Sequence, residues 1–275
     1  MLISLERQSG LPIAFDPTTN TIQWPEGLTV EKIAPRAWAE MLDFASHPAA
    51  TPTSQPVYTV YRNIARSGDA STIQSSKLRY DITVIPPGSF VGSRNEFFRT
   101  AGHCHPLKPD TRFGYPEVYE VIAGRAYWLF QRPNPNDPAL IEEIYVVEAG
   151  PGEKAVMLPG FGHISINAFA EPLVMANWIS DTFSYDYESY RKFRGGGYWL
   201  IQGPTPDTVE FEKNPNYRSV PELKKLRPRE VPELGLVRSQ PLYQFSRELG
   251  KLRFLSYPEE FAHILTIDRC YRPVV

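Results

Sequence analysis

The sequence predicts an all-β protein: a closed barrel or sandwich of short strands, with an arm before it and a partly helical extension after it. Three observations carry this reading. From residue 56 to 217 short strand-like segments follow one another at steady spacing, each ended by glycine or proline. Aromatic residues make up 13% of the chain, and 27 prolines accompany 18 glycines, which suits many strands and turns better than a helix bundle. His103 and His105 stand at i and i+2, a spacing that shares one side of a strand but not one face of a helix.

Residues 1–55 form the arm. Segments 11–15 and 21–24 are short strand candidates, and 29–44 reads as a helix opened by Thr29, with Ile33, Trp38, Met41 and Leu42 as its apolar positions and Pro35 weakening its first half. Residues 48–56, rich in Pro, Thr, Ser and Ala, are a linker. The expected barrel, residues 56–217, takes strands at 57–64, 78–85, 97–105, 118–122, 125–132, 141–147, 154–158, 165–168 and 173–179, with 198–202 and 208–211 as further candidates. Pro86-Pro87-Gly88 closes the second of these, and Ala123-Gly124 reads as the turn of a tight hairpin. Residues 218–275 are the extension: charged and proline-broken at 221–232, then helical in pattern at 239–254 through Leu242, Phe245, Leu249 and Leu252. A strap over the barrel or a dimer contact is its expected role.

Composition excludes several classes. A net charge of −2 leaves no electrostatic footprint for nucleic acid. No stretch reaches the apolar length of a membrane span, and the N-terminus lacks the apolar core of a signal peptide. Cys104 and Cys270 are the two cysteines, too few for a disulfide framework, so a cytoplasmic setting is expected.

The chemistry concentrates in His103, His105, Glu117 and His163. Three of the five histidines fall in two segments, each a turn or strand, and Glu117 opens the apolar run between them. Three imidazoles and a carboxylate on adjacent strands suit a divalent metal, Fe2+ first, with Mn2+, Ni2+ or Zn2+ as alternatives, and leave positions for water or substrate oxygens. Cys104, between the two histidines, is expected to point to the other side.

These residues resemble the cupin superfamily. Glu117 to Gly124 keeps the six-residue gap of its first motif, and His163 with Asn167 matches the His-x3-Asn of its second. Eleven residues separate His105 from Glu117, where the general motif has three or four. Within cupins the chain resembles the archaeal-type glucose-6-phosphate isomerase family. The likeness is carried by Phe97-Phe98-Arg99-Thr100-Ala101-Gly102-His103-Cys104-His105, by Glu117-Val118-Tyr119, by Leu158-Pro159-Gly160-Phe161-Gly162-His163, and by Val57-Tyr58-Thr59-Val60-Tyr61 with Thr83-Val84-Ile85-Pro86-Pro87-Gly88. It runs from about residue 55 to 217.

The resemblance implies a cupin barrel, also called a double-stranded β-helix or jelly roll, and interconversion of glucose 6-phosphate and fructose 6-phosphate in glycolysis and gluconeogenesis. It implies a metal held by His103, His105, Glu117 and His163, with Glu117 and Tyr119 as catalytic residues. The sugar phosphate would meet Thr83, Thr100, Gly102 and Tyr58 or Tyr61, and a homodimer is expected, supported by the aromatic strand 57–61. For Thr100 to share a cavity with His103, the strand has to bend or begin at Gly102. Two departures stand out. The family's histidine before an Asp-Tyr pair has no counterpart here, where Ser184-Tyr185 precede Asp186-Tyr187. The insertion 106–115 brings Lys108 and Arg112, either phosphate ligands or a solvated loop. Another metal cupin (an oxygenase, an epimerase or another sugar-phosphate isomerase) and a non-catalytic sugar-binding cupin are the alternative functions.

Overall fold

Alternating side chains on a pleated backbone place successive residues on opposite faces, and this chain uses both faces of nearly every strand. The computed structural model describes residues 1–46, 55–90, 95–205 and 208–274; most of the expected linker, 48–54, lies outside them. The principal strands are β1 (Lys32–Arg36), β2 (Tyr58–Arg62), β3 (Leu78–Ile85), β4 (Glu117–Ala123), β5 (Ala126–Asn134), β6 (Asp137–Ala149), β7 (Lys154–Met157), β8 (Gly162–Ile166), β9 (Leu173–Ser180), β10 (Tyr198–Gln202), β11 (Val209–Lys213), β12 (Lys224–Pro228) and β13 (Tyr271–Pro273).

One sheet has the order β7-β4-β9-β3-β2-β1 and the other β8-β5-β6-β12-β13. From β4 to β9 the chain passes back and forth between them: β4 in the first, β5 and β6 in the second, then β7, β8 and β9 alternately. That winding of antiparallel strands is the expected double-stranded β-helix. A smaller sheet of β11 and β10 with Glu96–Phe97 and Ser89–Phe90 lies beside them.

Several expectations need correction. Ala123-Gly124 is not a hairpin turn: β4 pairs with β7 and β9, while β5 pairs with β6 and β8. Gly124 carries the chain from one sheet to the other at φ 76°, where an added Cβ would strike the Pro172 carbonyl. The true hairpin joins β5 to β6, with Asn134 Oδ1 accepting from the amides of Asn136 and Asp137 at 2.9 and 3.2 Å. The helix expected at 29–44 is a helix only at Trp38–Met41; Lys32–Arg36 is an edge strand paired with β2. Pro35 sits comfortably there, since an edge strand does not require every amide to donate. Segment 239–254 forms 3-10 turns, Leu242–Arg247 and Leu249–Leu255, rather than an α-helix. Finally β2 is not a sheet edge, because β1 covers one side and β3 the other; the aromatic-edge argument for a dimer therefore falls, and the end strand on that side is β1.

The outer face of the first sheet is packed under the extension. Tyr80 lies 5.0 Å from Trp178 and 5.2 Å from Tyr243, and Trp178 Nε1 donates to the Leu242 carbonyl at 2.7 Å. Each such side chain, once buried, contributes on the order of 1.5–3 kcal/mol. Burial on both faces is why these strands read as near-continuous apolar runs. The arm and the extension each add strands to the barrel sheets, β1 to the first and β12 with β13 to the second.

Candidate metal centre

The inner face of the first sheet is set by register. Tyr119 stands opposite Asn177, Asn177 opposite Asp81, Met175 opposite Thr83, Thr83 opposite Val60, and Tyr58 opposite Arg36. Directly paired residues share a face, so these side chains, with Glu117 and Arg62, line one cavity. The cavity holds about 50 Å³, and it adjoins a recess of about 320 Å³ with which it shares Arg36, Ala101 and Tyr187.

The histidines arrive from the side. Segment 98–104 runs antiparallel to β8: the His103 and His163 amides and carbonyls exchange bonds of 3.2 and 3.0 Å, and Thr100 N donates to Ser165 O at 2.9 Å. The bridges Arg99↔Ile166 and His103↔His163 leave one more residue on the first segment than on the second. This is a β-bulge, and Gly102 occupies it at φ 81°. An added Cβ there would come within 2.6 Å of Ile164 and 2.7 Å of Tyr190. The extra residue breaks the alternation, so Thr100, three residues before His103, lines the same cavity as His103, together with Ala101 and Gly102. The pair His103-Cys104-His105 thus belongs to no regular strand. Cys104 exchanges backbone bonds with Asp186, and its sulfur lies on the side of Gly162.

At the floor, Glu117 Oε2 lies 3.9, 3.4 and 3.3 Å from Nε2 of His103, His105 and His163. The Nε2 atoms of His103 and His105 are 3.1 Å apart. All four ligand atoms fall within 4.8 Å of one another. His105 Nδ1 donates to the Tyr115 carbonyl at 2.8 Å, which leaves its Nε2 bare in the neutral ring. Burial first, then the His163 and His105 rings, push His103 well below the ordinary imidazole pKa; burial lowers His163 too, against the pull of Glu117. Burial would raise the Glu117 pKa, but His105 and His163 outweigh it and hold the carboxyl ionised. Asn177 Nδ2 donates to Glu117 Oε1 at 2.7 Å, while the buried Oε2 has no hydrogen-bond donor among the described residues.

Three imidazoles and an ionised carboxylate therefore converge, Glu117 and His163 buried and His103 and His105 partly so, with Glu117 Oε2 lacking a hydrogen-bond partner among the described residues. Such a group is costly unless a cation sits among them. Ligand atoms about 2.0–2.2 Å from one ion stand roughly 3.0–3.5 Å from each other; the spacings here start at 3.1 Å and reach at most 4.8 Å, so the set is near that size but somewhat wider. The donor set fits a divalent first-row metal.

A family model described as Glucose-6-phosphate isomerase (GPI) matches residues 39–218. The chain belongs to the glucose-6-phosphate isomerase family. No curated protein matches it. Among solved structures, those of Bacillus subtilis oxalate decarboxylase align. One concerned with its Mn(II) centres is 19% identical over 48% of this chain and 28% of that one, with TM-score 0.32. Another, at pH 4.6, is 19% identical over 45% and 25%, with TM-score 0.30. The chain thus spans about a quarter of the length of those proteins, and nothing about its activity follows from them.

For a glucose-6-phosphate isomerase family chain, the cavity brings together most of the residues singled out from sequence. His103, Glu117, Tyr119, Thr83, Thr100, Gly102 and Tyr58 line it, with His105 and His163 completing the cluster. Tyr61 is excluded. Three residues from Tyr58, it points to the opposite face of β2, where its hydroxyl accepts from Ile22 N at 2.9 Å and its ring packs on Trp24. Lys108 and Arg112 are also outside: Lys108 pairs with Glu259, and Arg112 lies over Phe113. No described helix is long and apolar enough to cross a membrane.

Sequence reading missed Arg36, Arg62, Asp81, Asn177, Tyr185 and Tyr187 on the cavity wall. Pairing register would have exposed Asn177 and Asp81 as the inward partners of Tyr119. Arg36 was hidden in a segment read as helix.

Proposed function

We propose that this chain is a metal-dependent aldose–ketose isomerase interconverting glucose 6-phosphate and fructose 6-phosphate. The observation that carries the proposal is the convergence of His103, His105, Glu117 and His163 in one hydroxyl-lined cavity, in a chain of this family. His103, His105, Glu117 and His163 would hold a divalent ion, which would supply Lewis acidity toward the sugar oxygens.

The chain's own groups do the rest. Thr83, Thr100 and the Gly102 amide offer hydrogen bonds to a phosphate, and the bulge keeps the backbone there open to it. Tyr58 and Tyr119 meet the sugar hydroxyls; Tyr119 Oη is 3.5 Å from His163 Nε2, at the edge of the metal cluster. Glu117 Oε1 lies outside the cluster and is steadied by Asn177, so it is the oxygen that would take a proton from C2 and return it to C1. The recess beside Arg36 and Tyr187 gives the substrate its way in. Asp81 is a poor candidate for proton transfer, because Arg62 and Arg79 both hold it.

The test is a coupled assay from fructose 6-phosphate, before and after chelation and with Fe2+, Mn2+, Ni2+ or Zn2+ restored. Turnover that chelation abolishes and one ion restores supports the proposal; turnover indifferent to chelator, or none with any ion, overturns it. Deuterium in product formed in D2O marks the Glu117 route, and its absence marks a hydride shift. A homodimer in the cytoplasm belongs to the same proposal, and light scattering at micromolar concentration checks the dimer.

A further inference from the structure

Tyr185 stands at the wall of the metal cavity in an arrangement that nothing described so far uses. Its ring packs 4.2 Å from the His103 ring and 5.6 Å from that of His105. Its hydroxyl accepts a hydrogen bond from Arg79 Nη2 at 2.8 Å. Arg79 is itself fixed. Its Nε lies 3.1 and 3.0 Å from the two Asp81 oxygens, and its Nη1 pairs with Asp181. The loop carrying Tyr185 is pinned on the other side by the paired backbone bonds of Asp186 with Cys104, the residue between two ligands.

The consequence is chemical. An arginine only donates, so it fills a lone pair of the phenol and cannot receive its proton. Among the described residues no oxygen accepts from the Tyr185 hydroxyl. Tyr185 lines the cavity, so its O–H is left available to a ligand there, polarised by the guanidinium behind it. A fixed donor of this kind interacts most strongly with an oxygen that gains negative charge during reaction.

We propose that Tyr185 is a catalytic residue that donates its hydroxyl hydrogen bond to the substrate oxygen carrying negative charge in the C1–C2 rearrangement. No proton leaves Tyr185: the bond strengthens as charge develops and relaxes as the new carbonyl forms. The proposal rests on the isomerase reading for the identity of that substrate, but the donor geometry does not depend on it.

Two probes separate the contributions. 5-Phospho-arabinonate carries a carboxylate where the reacting oxygens would lie; sorbitol 6-phosphate carries only neutral hydroxyls there. Calorimetric titration of the metal-loaded wild type and of Tyr185→Phe reads the difference, with metal content and melting temperature measured on both. In Tyr185→Phe the acid is expected to weaken at least about tenfold, as losing one hydrogen bond to a charged group implies, and sorbitol 6-phosphate by less than about threefold. For turnover, kcat falls by roughly a hundredfold with KM little changed, as for loss of one oxyanion donor. Should Tyr185→Phe lose metal or stability, Tyr185→His, which keeps a ring N–H, takes its place; it then retains the preference for the acid over sorbitol 6-phosphate.

Equal weakening of both probes, or of neither, overturns the role of Tyr185 while leaving the isomerase reading intact if the wild type turns over. Loss of the acid alone in a wild type that does not interconvert the hexose phosphates sinks the isomerase reading and keeps Tyr185 as an oxyanion donor. A wild type that binds neither probe overturns both.

Discussion

Glu117 and Glu120 are three residues apart on β4, both buried, on opposite faces of the same sheet. Glu120 faces outward under the extension. Its Oε1 accepts from Lys154 Nζ at 2.8 Å and its Oε2 from Leu242 N at 2.7 Å. Glu117 faces inward. Asn177 serves one oxygen, and the other lies among three imidazole nitrogens with no hydrogen-bond partner among the described residues. Burial and charge alone do not separate the two. What separates them is whether the polypeptide itself completes the hydrogen bonds: Glu120 fastens the extension to the barrel, whereas Glu117 waits for a partner from outside the chain.

The comparison can be broken most directly at the ligands. His103→Ala combined with His105→Ala should leave no metal by elemental analysis and lower turnover by at least about a thousandfold, since the Lewis acid goes with it. Full metal occupancy in that variant would defeat the assignment.

The two carboxylates then make a matched pair. Glu120→Ala strands Lys154, 2% exposed at its side chain, and should cost roughly 3–5 kcal/mol in urea unfolding while leaving metal affinity unchanged. Glu117→Gln should hardly move the unfolding midpoint of metal-stripped protein, yet abolish the rise that added metal gives the wild type, about 2.7 kcal/mol at a hundred times Kd. If the two variants exchange these outcomes, the distinction drawn here is wrong.

A smaller effect sharpens the same division on β2. Tyr61→Phe removes the acceptor of Ile22 N and should cost about 1 kcal/mol with KM unchanged. Tyr58→Phe should do the reverse, raising KM for the sugar phosphate without loss of stability. Of similar size is Thr100→Val, which deprives Ser165 N of an acceptor at 3.0 Å and should weaken sugar-phosphate binding severalfold, with a stability cost near 1 kcal/mol. Unchanged binding in that variant would move the phosphate away from Thr100.

The ligand cluster was legible because its chemistry is rare in sequence: His103, His105, Glu117 and His163 stand out by residue type, and the family motifs fix their order. The barrel was legible too, since β3 ends at Pro86 and β9 begins after a Pro172 turn, where local chemistry decides. Elements settled by distant pairing were not. Lys32–Arg36 is a strand because β2 lies beside it. Gly124 is a crossing rather than a hairpin turn because β7 and β9 capture β4. Tyr58 and Tyr61 could be told apart only once the inward face was known. The need for a break at Gly102 followed from counting residues, but the bulge itself is a property of two segments side by side.

The segment between His105 and Glu117 has a wider meaning. Leu107 bridges Gly114, Lys108 N donates to Phe113 O at 2.8 Å, and Tyr115 N donates to Pro106 O at 3.3 Å. The loop closes on itself like a small hairpin, and the His105 Nδ1 contact with Tyr115 O clamps its base. Its tip can therefore lengthen, shorten or be exchanged as a cassette without retuning the ligands on either side. Spacing between motif residues is then a poor ruler for relatedness in such chains, and this tip is a place where a recognition peptide or a reporter could be grafted beside a working cavity.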